Sequence, residues 1–515
     1  MVKTIIKREL LDNILSFKFM ACVLVALILS IISTIVLTKD YQARLVDYNK
    51  GVAIAQEKLS KIPVYSYLEA EIYKKPSPLS IFIPGTERYT GNCVTLTHRE
   101  IPTVLKGGLI KNEFSVIFSF FDLASIIVIV FTLLAILLSY DSISGEKEEG
   151  VLSLVLSNSV PRFKFLLGKY VGGLLSIIIP LTFCFGIGGL IVLFSQRMGL
   201  SRSFWNGFLA LYFLAILYLS SMILIAILVS SQTKNSFTSL LILLAFYVIT
   251  IFLLPVASEN IAEKAGMRKT VQYDSNAPHL KREAQVKTSE AVKKISVNRS
   301  WASLERRGEK LILRRLNPEV TIEYYRQFYE IRERIGIEYA QKAYALKQKD
   351  FEIADRISGK KHLFLMLLPA ANFEMTSEVI AGTGRKTVER FFQQIFTYWL
   401  RYVRFLERKD AFSLRYFYPY SEKFGPEETA LLKKLSTADW KERFSLLDKE
   451  GKKFDQKESE YLNLRDLPVF KYVEPGLKEK TQGISRNVLV MFFYNLAIFL
   501  LAHFSFNRCD PRMSL

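Results

Sequence analysis

The sequence predicts an α-helical polytopic membrane protein with six transmembrane helices. An N-terminal amphipathic helix precedes them, and a small mixed α/β loop and a large, mostly helical domain share one external face. Three observations carry this. Half of the 515 residues are hydrophobic, yet 23% are charged. A chain that mixes the two so unevenly combines membrane spans with a polar domain. The apolar residues gather into runs of the roughly 20 residues that cross a bilayer. The polar residues gather into two long stretches between those runs.

The first element, residues 1–18, reads MVKTIIKRELLDNILSFK. Val2, Ile5, Ile6, Leu10, Leu11, Ile14 and Leu15 recur at helical spacing with Lys3, Lys7, Arg8 and Lys18 between them. That pattern suits a helix lying along a membrane surface; a simple polar lead-in to the first span is the alternative. The spans follow at 19–37, 114–140, 172–194, 204–229, 237–256 and 488–506. The run at 19–37 is long for a signal peptide, and LTKDYQ after it lacks a small-x-small cleavage site, so it reads as an uncleaved anchor. Six spans return the tail, 507–515, to the side of the N-terminus.

On that side the short segments carry Lys3, Lys7, Arg8, Lys18, Lys147, Arg162, Lys164, Lys234, Arg508 and Arg512, against Arg197 and Arg202 opposite. The larger count favours cytoplasmic termini in a plasma or inner membrane. Residues 38–113 and 257–486 then face outward. The first holds β-like runs at Leu79–Ile83 and Asn92–Thr97 among Pro and Gly punctuation. The second holds aromatic-rich helical stretches, whose stripes read as core, and the short run LFLMLLPAA, either buried or dipping into the membrane interface. The net charge of +20 fits membrane lipid or merely a basic surface, and the apolar runs point away from nucleic acid.

Chemistry of other kinds is not expected. The four cysteines and four histidines are scattered, with no CxxC and no metal-ligand spacing. No HExxH, GxSxG or pair of intramembrane carboxylates occurs, so there are no candidate catalytic residues. A phosphate-cradling loop needs G-x-x-x-x-G-K-[ST]. None of Gly168-Lys169, Gly359-Lys360 and Gly451-Lys452 is followed by Ser or Thr, and AGTGRKT has Arg385 in place of the glycine. Within the spans, Asp122 is a costly carboxylate and a candidate for a transport path; near the interface a helix-end polar contact is the alternative. Gly186 and Gly189 in FGIGGL permit close helix approach, around a path or in plain packing.

The densest signal is YDSISGEKEEGVL, residues 140–152, in the loop 141–171. Asp141, Glu146, Glu148 and Glu149 outnumber Lys147, although orienting a span needs no acidic residues. Gly145 and Gly150 bracket the cluster, and a short apolar helix follows before Pro161.

D-x-I-S-G-E-K-E-x-G-x-L, followed by S-x-x-V-P-R and L-x-G-K, resembles the signature of type-2 ABC exporter permeases, in particular their six-span branch with large extracytoplasmic insertions. KPSPLSIFIPG at Lys75–Gly85, AHFSFNRCD at Ala502–Asp510 and, more loosely, LLPAANFEMTSEVIAGTG are similar to that branch. The resemblance implies that the loop carries a coupling helix docking on a cytoplasmic ATPase dimer. By position, it gives that role to Asp141, Ser144, Gly145, Glu146, Lys147, Glu148, Gly150, Leu152, Pro161 and Arg162. The matching pattern also takes in Ile143, Ser157, Gly168 and Lys169. It implies a second permease copy or a related permease as partner, ATP and magnesium held by the ATPase with no cofactor on this chain, an elbow role for the N-terminal helix, and cytoplasmic termini. Export of a substrate is the expected function; force transmission to the external domain is the alternative.

Overall fold

In the computed structural model, residues 2–62, 65, 68–88, 90–100, 121–157, 161–195, 201–257, 272–295, 302–307, 310–315, 318–409, 411–412, 462–475 and 477–508 are described, with isolated positions between 430 and 445. Six helices are long and apolar enough to cross a membrane: Phe17–Ser60, Leu123–Glu148, Arg162–Phe194, Arg202–Gln232, Ser236–Ala257 and Gln482–Arg508. They are spans one to six. The loop face of the bundle carries residues 141–161; the domain face carries the two long insertions.

The N-terminal helix, Val2–Ile14, is separate from the first span. Ser16 caps the span, its hydroxyl accepting from the Phe19 amide at 3.2 Å. The N-terminal helix does not depend on lipid alone for its apolar face. It packs beside the third span in a parallel register. A Cβ on Gly168 would come within 2.7 Å of Ile5, and one on Gly172 within 2.6 Å of Glu9. Asn13 donates to Ser176 Oγ at 3.2 Å. Glycine at every fourth position thus opens a groove that one row of the helix fills.

The second span begins at Leu123, with Asp122 as its N-cap, and holds a π-helical segment, Ile127–Phe131. Residues 114–120, where the apolar run begins, lie outside the described residues. The π-helix displaces the ladder by one residue and frees carbonyls. Tyr247 of the fifth span donates to Ile129 O at 3.1 Å, and Thr132 Oγ1 lies 2.7 Å from the Tyr218 hydroxyl of the fourth.

On the domain face the two insertions build one core. β1 (Ala70–Tyr73) pairs antiparallel with β2 (Cys93–Leu96). The other predicted run, at Leu79–Ile83, forms a 3₁₀ helix, Pro78–Ile81. Pro78 sits at its start, where a missing N–H costs nothing, and this segment gains no strand partner. Leu68, Ile72, Val94 and Leu96 from the first insertion pack with Tyr329, Phe391, Ile395, Trp399 and Tyr402 from the second. Phe391, Ile395, Trp399, Tyr402 and Leu406 recur at helical spacing along Arg385–Arg408 and are all buried, so this aromatic stripe is core. Trp399 Nε1 donates to Thr97 O at 2.8 Å and Tyr402 OH to Leu68 O at 2.9 Å. The second insertion also contains an antiparallel hairpin, β3 (Ala302–Arg307) with β4 (Lys310–Arg315), inside a region expected to be mostly helical.

Of LFLMLLPAA, Leu365, Met366, Pro369, Ala370 and Ala371 are buried, whereas Leu367 is 65% exposed. A 49-residue helix ends at Met366, and Leu368, extended ahead of Pro369, breaks the path. The helix Pro369–Ala381 then packs against the fourth and sixth spans. Phe373 stacks on Tyr218 at 4.9 Å between centroids. Asn372 donates to Asn487 O at 3.2 Å, and Asn487 Nδ2 to Thr376 Oγ1 at 3.0 Å. The turn after this helix docks on the first insertion: the Thr86 amide donates to Thr383 O at 3.0 Å and Ser77 Oγ to Ala381 O at 2.5 Å. Gly85, at φ +49°, makes that approach possible, since a Cβ there would lie 2.9 Å from Thr383 O.

Glu333 is the fully buried charge that joins the insertions. It pairs with His98, and with Arg99 at 2.5 and 2.7 Å. Burial alone would raise its pKa, but His98 and Arg99 outweigh this and push it down to about 2. The native pairing therefore stabilises the domain face fully above the ordinary carboxylate range, by about 3 kcal/mol, and is lost as pH falls toward 2. Glu333→Gln should lower the stability of the domain face by a similar amount at neutral pH and flatten its acid dependence. Amide exchange of 93–100 and 327–345 in the full chain, from pH 7 to pH 3, measures both.

Candidate functional site

The charges of the 140–152 segment are explained one at a time by where helices end. After Ser139 the second span turns through Tyr140–Ile143 into a short helix, Ser144–Glu148. A helix start leaves amide donors without acceptors. Here the Ile143 and Ser144 amides donate to Ser230 Oγ of the fourth span, at 3.1 and 3.0 Å. The cap comes from another helix.

Each charged side chain then reaches a different span. Asp141 lies 4.0 Å from Lys18 at the start of the first. That pair is about half exposed, so it contributes little. Glu146 pairs at 2.5 Å with Lys169 of the third span, a lysine only 5% exposed. Lys147 Nζ donates to Ser231 O at 2.6 Å and Thr233 O at 2.9 Å, where the fourth span ends. A cation there satisfies orphan carbonyls and meets the negative end of the helix dipole. Glu148 accepts from Ser236 Oγ at 2.6 Å, at the first turn of the fifth span, where the dipole favours an anion. Arg162 donates to Phe506 O at 2.8 Å and Asn507 O at 2.6 Å, near the end of the sixth. Residues 141–148 are tied to the first, third, fourth and fifth spans, and Arg162, the first residue of the third span, ties that span to the sixth.

The remaining predicted residues divide by role. Gly150 has φ +71° and ends the short helix in a conformation that L side chains rarely adopt. Gly145 has no such requirement: a Cβ there would meet Asp141 and Ser236 at ordinary contact distances of 3.5 and 3.6 Å. Leu152 is buried and Pro161 caps the third span. Glu149, Ser153 and Leu154 face outward, Leu154 being 66% exposed. They lie on and beside the helix Val151–Ser157.

The residues singled out within the spans do not form one site. Asp122 is buried, and its carboxylate caps the second span by accepting from Ser125 N at 2.8 Å and Ser125 Oγ at 2.6 Å. It lines a cavity of about 260 Å³ with Glu374, Glu378, Ser377 and Thr86, where the second span meets the helix Pro369–Ala381. Gly186 and Gly189 do not line it. Gly186 is exposed, with nothing among the described residues within 4 Å of an added Cβ. The close approach in FGIGGL is at Gly188, where a Cβ would come within 3.2 Å of Phe82. Ser230 and Glu9 are the site residues that sequence reasoning missed. Ser230 carries no local signal, and Glu9 is one acid within a basic segment.

Architecture and junction together define a helical polytopic membrane protein whose spans converge on one charged loop. Residues 3–333 match the family described as ABC-2 family transporter protein, and the chain belongs to that family. It is also similar to the Probable ABC transporter permease protein NosY of Stutzerimonas stutzeri, 39% identical over 85 residues. That similarity covers 16% of this chain and spans 31% of the relative's length. The residues matched by the family include the loop and its partners on spans one, three, four and five; the sixth span lies beyond them.

Ser230→Ala removes the acceptor of two amides at once, and each unsatisfied donor costs about 1–3 kcal/mol. Exchange at Ile143 and Ser144 should quicken by about tenfold or more, while the middle of the fourth span stays protected. Unchanged exchange at both amides would show that Ser230 does not hold the loop.

Proposed function

We propose that this chain is the membrane subunit of an ATP-driven exporter, and that its loop receives motion from a separate cytoplasmic ATPase dimer. The observation that carries this reading is the distribution of the loop's charges. Asp141, Glu146, Lys147 and Glu148 each engage a different span, and Arg162 at the start of the third span engages the sixth, so a displacement of the loop is passed to several helices at once. Ser144, Gly145, Gly150 and Leu152 shape the loop, and Pro161 starts the third span. The face around Leu154 and Glu149 is left for the partner. ATP and magnesium sit on that partner, in keeping with the missing phosphate-cradling motif. The termini are cytoplasmic, in a plasma or inner membrane, and a second permease copy or a related permease completes the assembly. Closure of the ATPase pair on ATP moves the loop and with it the second and third spans, and substrate is released on the far side.

A second reading has its own support. The helix Pro369–Ala381 is wedged between the fourth and sixth spans and is hydrogen-bonded to the first insertion. Motion of the bundle therefore reaches the domain face directly, as a force-transmitting complex requires. The two readings differ in what stimulates hydrolysis: a transported solute in the first, a partner at the domain face in the second.

Leu154→Asp tests the docking face. Burying a leucine contributes about 1.5–3 kcal/mol, so association with the partner ABC ATPase should weaken by about tenfold or more. The internal ties of the loop should be untouched. Binding measured on the reconstituted pair checks this. Wild-type affinity in Leu154→Asp, or ATP hydrolysis by the purified chain alone, would overturn the proposal.

A further inference from the structure

Lys169 is the most deeply placed charge of the junction, and two carboxylates share it. Glu146 approaches from the loop and Glu9 from the N-terminal helix, with side chains 15% and 13% exposed. Glu9 can enter because Gly172 has no side chain in its way. Among the described residues, the second carboxylate oxygen of Glu146, Oε2, is buried without a hydrogen-bond partner. The hold of the third span on the loop therefore runs through a single ammonium. A lysine on a four-carbon stem is a mobile point charge unless something fixes it. Glu9 supplies that second contact, from a helix that is itself in register with the third span at Ile5, Glu9 and Asn13.

We propose that Glu9 is a positioning residue of the loop: by fixing Lys169 between two carboxylates, it makes the N-terminal helix, the third span and the loop move as one body. The N-terminal helix is then a working part of the junction and not only a membrane-surface anchor. Removing the charge of Glu9 leaves Lys169 free to sample other rotamers, and Glu146 loses a fixed partner although neither of its own atoms has changed. Glu9 and Lys169 act in series, so their substitutions are non-additive.

The test uses the full chain in detergent or nanodiscs, spin-labelled at the exposed positions Arg8 and Ser153. Wild type should give one narrow distance distribution. Glu9→Gln should broaden it, Lys169→Gln should broaden it at least as much, and the double variant should be no broader than Lys169→Gln alone. Glu9→Asp, which keeps the charge, should restore most of the narrow distribution. A wild-type distribution in Glu9→Gln, or a double variant that broadens by the sum of the singles, overturns the proposal. A second arm rests on the ATP-driven reading. With the ATPase present, Glu9→Gln should lower stimulated kcat about fivefold or more at unchanged KM for ATP. Equal kcat would limit Glu9 to the resting structure and overturn its role in coupled motion. The two readings fail separately, because the distance measurement needs no ATPase, and a wild-type chain that stimulates no ATPase counts against the ATP-driven reading alone.

Discussion

Helix ends are the constraint on which this structure depends. Inside a bilayer every backbone group of a span is satisfied by the helix itself, but each terminus presents several that are not. At the loop face, ends of several spans converge on one segment. The fourth span needs a donor for its last carbonyls and receives Lys147; the fifth has its positive end met by Glu148; the short helix after the second span lacks amide acceptors and takes Ser230. The order glutamate–lysine–glutamate along the loop matches the order of the third, fourth and fifth spans. Reversing any one of these signs would set a charge against a helix dipole or deprive Lys169 of one of its two carboxylates. Losing one partner of a buried pair costs more than the pair contributes when intact.

The domain face is organised differently, by apolar burial. Two insertions far apart in sequence share one core. The β1–β2 pair is a two-stranded ribbon, a unit of marginal stability without a packing partner. Helix Arg385–Arg408 provides that partner, and Glu333 with His98 and Arg99 fixes the pairing. The helix Pro369–Ala381 connects this core to the membrane. Through Phe373, Tyr218 and Thr132 it reaches the second span just past the π-helical segment, within a few residues of where Tyr247 takes the Ile129 carbonyl. The second insertion and the second, fourth and fifth spans therefore meet around one irregular stretch of the second helix.

The spans and the importance of the loop were legible in the sequence because they rest on composition and local order. An apolar run declares itself, and so does EKEE between two of them. The aromatic spacing of Arg385–Arg408 announced a buried stripe for the same reason. What could not be read is anything set by contacts between distant segments. The Leu79–Ile83 run looked like a strand, but no partner strand is there to pair with it, and Pro78 starts a 3₁₀ turn instead. Asp122 read either as a transport-path carboxylate or as a helix-end contact, and the residue it contacts, Ser125 on the first turn from Leu123, could be settled only by where the helix starts. Gly145 looked conformationally required, whereas the left-handed angle belongs to Gly150. Ser230 and Glu9 are unremarkable in their own neighbourhoods, and their importance comes only from what they touch.

The first span is a single helix of 44 residues, about 66 Å at 1.5 Å per residue, against a hydrocarbon thickness of about 30 Å. More than half of it stands clear of the lipid, and its last turn is locked into the far core, with Ile62 O accepting from Leu462 N at 2.8 Å. A rigid rod of that length acts as a mast. A tilt of about ten degrees about its Lys18 end carries the top sideways by about 11 Å, roughly two helical pitches. Small rocking near Lys18 is thus enlarged, with no hinge needed, into a swing of the whole superstructure.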